Sequence, residues 1–304
     1  MIEKINQGNS GVVFKINIKN KEYALKREKI INNKLNKLFK LLKHNKENKL
    51  NILLDNTTDN HFGIICRNLY FNIFINKINK NHFLILHKYK INKCNNIEHE
   101  LTDDIKSRPN NLLKYNESLT YEYSLDLIYD LKKDNLTKVL HKLDKTQIYS
   151  LIIQIIYALY LMHSNNFYHR DIHIKNICFI KTDKKYINLK DINYKINTFG
   201  YIFSIIDYES VISNKFKLND FEKKEIIDND LIFKDNLDFL TKCIYNHNLD
   251  MSNIITKTIN KIKLSKNEKK IINSKILDYI DMKFYIKNIK NPLKIISFFY
   301  SMIK

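Results

Sequence analysis

The spacing of apolar side chains predicts strands at the start of the chain and a helix after them. Residues 12–16 and 23–26 are β-forming runs, and Asn and Lys suited to a turn separate them. Between residues 30 and 55 the apolar side chains instead recur at helical spacing and share one broad face. The first 55 residues are therefore expected to combine short strands with a helix.

Strand-like patterns return between residues 61 and 123. Aromatic and β-branched residues are concentrated at 61–75, 83–86 and 119–123, which predicts a strand at each place. A polar stretch at 92–111 interrupts them and is expected to be a loop. The first part of the chain is thus predicted to be rich in β-structure.

The second part of the chain has a mainly helical pattern. Residues 146–163 carry a wide apolar stripe that predicts a buried helix. Residues 183–206 are strand-like, and residues 220–304 are mostly helical, with a capping box that begins at Ser265. The sequence therefore predicts an α+β fold with a β-rich first half and a mainly helical second half.

Composition and charge narrow the functional class only in part. The chain has 304 residues, of which 44% are hydrophobic, and this is enough for two lobes with their own cores. A formal net charge of +20 ordinarily indicates nucleic acid or another acidic partner. Lysine is interleaved with Asn and Ile in nearly every segment, however, as an AT-rich genome would produce. Contact with nucleic acid therefore stays open as an alternative.

Cysteine usage and hydropathy predict an intracellular protein. The four cysteines are far apart and form no CxxC pair: Cys66, Cys94, Cys178 and Cys243. This pattern gives no support to zinc or redox motifs and favours a reducing compartment, either nucleus or cytoplasm. The first residues lack the apolar region of a signal peptide, and no run reaches the roughly 18 apolar residues of a membrane-spanning helix. A soluble monomer without membrane contact is expected.

Residues 169–176, with the sequence His-Arg-Asp-Ile-His-Ile-Lys-Asn, carry the strongest chemical signal. An Asp five positions before an Asn, introduced by His-Arg, has the spacing of the protein kinase catalytic loop. Asp171 would accept the proton of an attacking hydroxyl group, and Asn176 would hold a magnesium ion. A second magnesium ligand is expected at Asp207, which follows the apolar strand 201–206.

A pair of glycines near the start of the chain predicts a phosphate-binding loop. Gly8 and Gly11 would let the backbone approach the phosphates of ATP, and Val13 on the next strand would cover the adenine. Asn6 stands where a first glycine is usual. An ordinary hairpin turn is the alternative interpretation of this pattern.

Lys26 is predicted to bind the α- and β-phosphates, because it follows the glycine pair on a later strand. Its expected partner is a helix glutamate. Glu47 is the best placed acidic residue, at helical phase with Leu50 and Leu53, whereas Glu28 lies within or just after the lysine's own strand.

Together these residues resemble the haspin-like atypical protein kinases. His173 stands where haspins also have His and where most protein kinases have Lys. Asp207-Tyr208 resembles the haspin variant of the Asp-Phe-Gly motif, although Glu209 replaces the family's Thr. Asp207 follows Asn176 by 31 positions, and haspins carry a comparable insert at this place.

The resemblance implies one bilobal protein kinase-like domain, with an N-lobe at 1–123 and a C-lobe at 124–304. It places adenine contacts at Glu122 and Tyr123, His173 beside the transferred phosphate, and Asp238 on a helix that braces the catalytic loop. ATP and Mg²⁺ would be the cofactors, and a Ser or Thr hydroxyl of a protein would be the acceptor. Haspins phosphorylate a histone tail. The target here, whether histone-like or another host or viral protein, is left open.

Two other functional classes remain as alternatives. Small-molecule kinases of the choline or aminoglycoside type share a His-x-Asp loop and often have Ile-Asp-Tyr-Glu, which residues 206–209 reproduce. Arg170, the glycine pair and the long insert favour the protein kinase. A basic pseudokinase scaffold is the non-enzymatic alternative, but the chain has all four residues that the chemistry requires, Lys26, Asp171, Asn176 and Asp207.

Overall fold

A computed structural model shows a mixed α/β protein that divides into two compact units. The first unit comprises residues 1–53 and 85–131, and the second comprises residues 54–84 and 132–304. The residues that the structure describes are 2–7, 11–30, 42, 49–58, 61–78, 81–93, 123–132, 134–228, 231–244 and 279–304.

The first unit is built around a five-stranded antiparallel sheet in the order β1-β2-β3-β5-β4. Its strands, together with one short helix, are β1 (Ile2–Gln7), β2 (Gly11–Ile18), β3 (Lys21–Ile30), α1 (Lys49–Leu54), β4 (Leu86–Lys93) and β5 (Tyr123–Asp130). The predicted strands at 12–16 and 23–26 are confirmed and are longer than expected. Lys19 and Asn20 join them with positive φ angles of 51° and 62°, as a two-residue hairpin turn of right-handed twist requires.

An ion pair inside the first sheet fixes the register of β3 against β5. Arg27 lies directly opposite Asp126, and its Nε and Nη2 donate to Oδ1 and Oδ2 at 2.7 and 2.8 Å. On the other face of β5, Leu125 and Leu127 are fully buried. A shift of β3 against β5 by one residue would move these side chains to the opposite faces of the sheet. The charged pair and the two buried leucines therefore together specify the register of the two strands.

The second unit combines helices with three small antiparallel sheets, ordered β11-β8-β6, β10-β9 and β12-β7. Its helices are α2 (His61–Ile78), α3 (Lys145–Ser164), α4 (Asp220–Asp228), α5 (Leu231–Asp238, continued by a π-turn at Phe239–Ile244), α6 (Tyr279–Lys287) and α7 (Pro292–Met302). Its strands are β6 (Asp134–Asn135), β7 (Phe167–Tyr168), β8 (Ile177–Lys181), β9 (Tyr186–Leu189), β10 (Tyr194–Asn197), β11 (Tyr201–Ile205) and β12 (Ile212–Ser213). Among the described residues, the prediction of strands in 183–206 and helices after 220 is confirmed.

Helix α3 forms the core of the second unit and confirms the helix predicted at 146–163. It begins with a capping box, in which Asp144 accepts from the amide of Gln147 at 2.8 Å and Gln147 accepts from the amide of Asp144 at 3.0 Å. By length and composition it could cross a membrane, but 83% of its apolar window is buried inside the protein. That burial is compatible with a soluble protein.

The strand predicted at 61–75 is wrong, because these residues form most of helix α2. The helix is apolar on nearly all sides, with Leu69, Phe71 and Ile75 completely buried. A helix buried all round shows no amphipathic period, and its aromatic and β-branched residues are those that strands also prefer. The strand predicted at 83–86 is displaced as well: Phe83 makes one isolated bridge with Ile205, and β4 begins at Leu86.

The division between the two units also differs from the predicted boundary after residue 123. Tyr123 begins β5, which pairs with β3 and β4 along its whole length, so the first unit continues to Leu131. Helix α2 belongs to the second unit, where Phe71 packs against Phe167 with ring centroids 5.1 Å apart. The capping box predicted at Ser265 lies outside the described residues.

A buried histidine makes the stability of the second unit depend on pH. His82 is completely buried, and burial lowers its pKa to about 4, although the hydrogen bond between Nδ1 and the carbonyl of Phe203 (3.2 Å) acts in the opposite direction. In the unfolded chain its pKa is about 6.5. As the pH falls from about 6.5 towards 4, the unfolded chain therefore binds a proton that the folded chain does not.

We expect the free energy of unfolding to fall by about 1.4 kcal/mol per pH unit across this interval on account of His82. His82→Phe, which keeps the edge-on ring contact with Tyr157, should be less stable at pH 7 but lose less stability on acidification. Thermal melts of both proteins between pH 7 and pH 4.5 measure the difference. Equal acid sensitivity of the two proteins would rule out His82 as the source.

Candidate active site

The β8–β11 hairpin brings the two predicted magnesium ligands to the same end. Its register pairs Ile177, the residue after Asn176, with Ile205, two residues before Asp207. One step further, the amide of Ile206 donates to the carbonyl of Asn176 at 2.9 Å. Asn176 and Asp207 are therefore neighbours across this end of the hairpin, although 31 positions separate them in the sequence.

The loop before β8 orients Asp171 through Asn176. The side-chain amide of Asn176 donates to the carbonyl oxygen of Asp171 at 3.0 Å and to its Oδ2 at 3.2 Å. Asn176 is buried, whereas the side chain of Asp171 is 47% exposed. Asp171 is thus fixed on the protein side and open on the other, as a group that accepts a proton from an external hydroxyl must be.

His173 is turned towards the same carboxylate. Its Nδ1 accepts from the amide of Lys175 at 3.2 Å, which caps the short 3₁₀ turn Ile174–Asn176. Since Nδ1 is an acceptor, a neutral ring carries its proton on Nε2. That atom lies 3.5 Å from Oδ2 of Asp171. The structure therefore brings together Asp171, His173 and Asn176, three of the residues predicted from the sequence.

The carboxylate that holds the loop at residues 169–176 is Asp235 on α5, and the prediction of Asp238 is wrong. Asp235 accepts from the amides of His169 and Arg170 at 2.9 and 2.8 Å, and from Nε2 of His163 at 3.0 Å. Asp238 pairs instead with Lys242 at 2.9 Å, one turn further along. The resemblance implied Asp238, which lies about one turn after Asp235 on the same helix.

The environment of Asp235 keeps this buried carboxylate ionised. Burial alone would raise the pKa of Asp235, but the hydrogen bonds from the side chain of His163 and from the backbone amide of His169 outweigh burial and hold it below its ordinary value. His169 is also fully buried, and burial lowers its pKa, so its ring is neutral at pH 7. The ring shares a hydrogen bond of 3.2 Å between Nε2 and the carbonyl of Ile206, which links the loop to the end of β11.

Arg170 is held by a carboxylate of helix α4. Its Nη2 lies 2.6 Å from Oε2 of Glu225, which also pairs with Lys234 at 3.0 Å. The backbone of Arg170 has a positive φ of 66°, an unfavourable conformation for a long side chain. The hydrogen bond of its amide to Asp235 and the ion pair with Glu225 hold it there.

Tyr208 fixes the backbone that follows Asp207. Asp207 has a positive φ of 62°. The hydroxyl of Tyr208 donates to the carbonyl of Ile205 at 2.6 Å and accepts from the amide of Leu84 at 3.0 Å. The ring is buried against Phe71, with centroids 4.8 Å apart. Replacement of the usual Gly or Thr by Glu209 therefore leaves Asp207 in a defined conformation.

In the first unit, the sheet brings together the residues predicted to hold ATP. Val13 lies directly opposite Lys26, and Gly11 lies opposite Glu28, so all four share one face. Lys26 forms an ion pair with Glu28, with Nζ 3.0 Å from Oε1. Glu28 was set aside because it shares the strand of Lys26, yet residues two apart on a strand point to the same side.

The remaining predicted ATP contacts are not described or are displaced. Gly8, Glu47 and Glu122 lie outside the residues that the structure describes. Tyr123 is the first residue of β5, whereas the chain passes from the first unit to the second at the other end of this strand, after Leu131. The strand predicted at 119–123 lies outside the described residues except for Tyr123.

Asn176 and Asp207 suit a magnesium ion that is shared with a substrate. Among the described residues, no three or more His, Cys, Asp or Glu side chains form a group that could hold a metal ion by themselves. Magnesium is commonly held by one or two carboxylate or amide oxygens, with phosphate oxygens and water completing its octahedron. The pair at the end of β8–β11 supplies such oxygens, so these residues fit Mg²⁺ that arrives with a phosphate compound.

No protein-family model matches this chain, and no curated protein matches it significantly. The chemistry of the chain's own residues is therefore what supports a function.

Proposed function

We propose that this protein is an ATP-dependent protein kinase that transfers the γ-phosphate to Ser or Thr hydroxyls, and that it is haspin-like. The observation that carries the proposal is the grouping of Asp171, Asn176 and Asp207 around the end of one hairpin, with Asp171 accessible. Asp171 accepts the proton of the attacking hydroxyl group, which lets the oxygen attack phosphorus. His173, with Nε2 beside Oδ2 of Asp171, lies next to the transferred phosphate.

In this proposal the two units contribute different residues to phosphoryl transfer. The first unit corresponds to the N-lobe of a protein kinase-like fold and the second to the C-lobe. Lys26, positioned by its ion pair with Glu28, binds the α- and β-phosphates. Asn176 and Asp207 hold Mg²⁺, which neutralises negative charge on the phosphates when it is bound. The braced segment from His169 to Arg170 keeps Asp171 in place.

A phosphotransfer assay separates this proposal from its alternatives. Purified protein is incubated with radiolabelled ATP and Mg²⁺, in parallel with histone, casein, choline and an aminoglycoside, and the phosphorylated sites are mapped. We expect label on Ser or Thr of a protein acceptor, or on the protein itself. Transfer to choline or the aminoglycoside alone would show a small-molecule kinase. Binding of ATP without transfer to any acceptor would indicate a scaffold.

A further inference from the structure

The β9–β10 hairpin of the insert has one buried face and one exposed face. Ile187, Leu189 and Ile196 are buried on the inner side. The register pairs Asn188 with Lys195, and both, with Tyr186, are exposed on the outer side. The hairpin is thus an amphipathic two-stranded sheet with an exposed outer face, and no other described strand pairs with it.

Several contacts hold this hairpin firmly on the second unit. Tyr194, on the inner side, stacks on Tyr300 of α7 with ring centroids 4.6 Å apart. The hydroxyl of Tyr157 on α3 donates to Asp191 at 2.5 Å. At the base, the amide of Thr198 donates to the carbonyl of Lys185 at 3.0 Å. The outer face is therefore a fixed platform.

Tyr186 is the centre of the outer face. Its side chain is 43% exposed, an unusual degree for a large aromatic residue. The ammonium groups of Lys195 and Lys185 lie 4.7 and 5.3 Å from the centroid of its ring. An exposed ring is thus flanked by two cations, and neither lysine forms an ion pair with a carboxylate among the described residues.

The hairpin is one of several segments of the second unit in which lysine outnumbers acidic residues. Residues 181–197 contain five lysines and two aspartates, and one of those aspartates, Asp191, bonds to Tyr157. By comparison, residues 207–228 contain four lysines and six acidic residues. The hairpin therefore carries a net positive charge of its own, which favours a partner with negative charge.

We propose that the outer face of the β9–β10 hairpin binds single-stranded nucleic acid. A base stacks on the exposed ring of Tyr186, and Lys185 and Lys195 bind the phosphates on either side. An exposed aromatic ring between cations is the arrangement by which sheets bind single strands without sequence preference. Bases of a duplex are stacked on each other and cannot reach the ring, which favours a single strand as the occupant.

This surface is separate from the candidate active site. Strands β8 and β11 run from one site to the other. Ile177 pairs with Ile205 at the end near Asn176, and Lys181 pairs with Tyr201 at the opposite end. Four residues along a strand span about 13 Å. The proposal therefore does not depend on phosphoryl transfer and can be tested with the whole protein in the absence of ATP.

Fluorescence anisotropy with labelled 20-nucleotide oligo-dT and oligo-U, each at 50 and 150 mM salt, tests the proposal. We expect Tyr186→Ala to weaken binding about tenfold, whereas Tyr186→Phe keeps the ring and binds like the unaltered protein. Lys185→Ala combined with Lys195→Ala should reduce the slope of log K against log salt by about 1.4. The matched control, Lys88→Ala with Lys90→Ala, removes the same charge from exposed positions of β4.

Three results would overturn the proposal. Equal losses in the two double variants would mean that general charge attracts the oligonucleotides. Unchanged affinity in Tyr186→Ala would exclude stacking on this ring. Tighter binding of a 20-base-pair duplex, with the same dependence on Lys185 and Lys195, would show that the surface takes duplex nucleic acid. Circular dichroism of each variant confirms that it is folded before its affinity is compared.

Discussion

Replacing Asp171 by Asn is expected to abolish phosphoryl transfer while ATP still binds. The amide cannot accept the proton of the attacking hydroxyl group, and loss of a general base typically costs about 10² to 10⁴-fold in rate. The loop should keep its shape, because one of the two hydrogen bonds from Asn176 goes to the backbone carbonyl of Asp171 and does not need the carboxylate. Asp171→Ala is expected to give the same result.

Single-turnover transfer and equilibrium ATP binding, measured on the same preparations, separate chemistry from binding. Lys26→Ala is the contrasting variant: its side chain is predicted to hold the phosphates, so ATP use should become poor through weaker binding in a protein that is still folded. Turnover that survives in Asp171→Asn would mean that another group is the base. Loss of ATP binding in that variant would place Asp171 in the nucleotide site instead.

The parts of the fold that the sequence predicted well are those that depend on local spacing. The loop at 169–176, the strands within 183–206 and helix α3 all carry their signal within a few residues. Helix α2 was predicted wrongly because it is buried on nearly every side, and a buried helix has the same kind of apolar run as a buried strand. Its true environment is set by aromatic partners such as Phe167 and Tyr208, which are distant in the sequence.

Charged partners were predicted less well than the residues they support. Asp238 was predicted where Asp235, three positions earlier on the same helix, is observed. Glu28 was set aside, although it pairs with Lys26, and Glu47 lies outside the residues that the structure describes. Pairing of a buried carboxylate depends on which face of a strand or helix it occupies and on what packs against that face. The sequence alone predicts the face that a carboxylate occupies only approximately, and it does not predict which elements pack against that face.

Removing the carboxylate of Asp235 is expected to have the largest effect on stability and to disable the site as well. Asp235→Asn leaves His163 and the amides of His169 and Arg170 with one acceptor oxygen and an amide group that repels donors. Each buried donor that is left without an acceptor costs about 1–3 kcal/mol. The pKa of Asp235 is lowered in the fold, so its contribution is complete above the unfolded carboxyl pKa of about 3.9 and is lost only as the pH falls below it.

At pH 7 the full destabilisation of Asp235→Asn should therefore be observed in thermal or urea unfolding. Asp238→Asn is the matched control on the same helix: burial raises the pKa of Asp238, despite its pair with Lys242, so the neutral amide should cost at most about 1 kcal/mol. Hydrogen exchange of the peptide that contains His169 and Arg170 reports the loop itself, and we expect those amides to lose protection only in Asp235→Asn. If both variants matched the unaltered protein in exchange, stability and turnover, Asp235 would not be the residue that holds Asp171 in position.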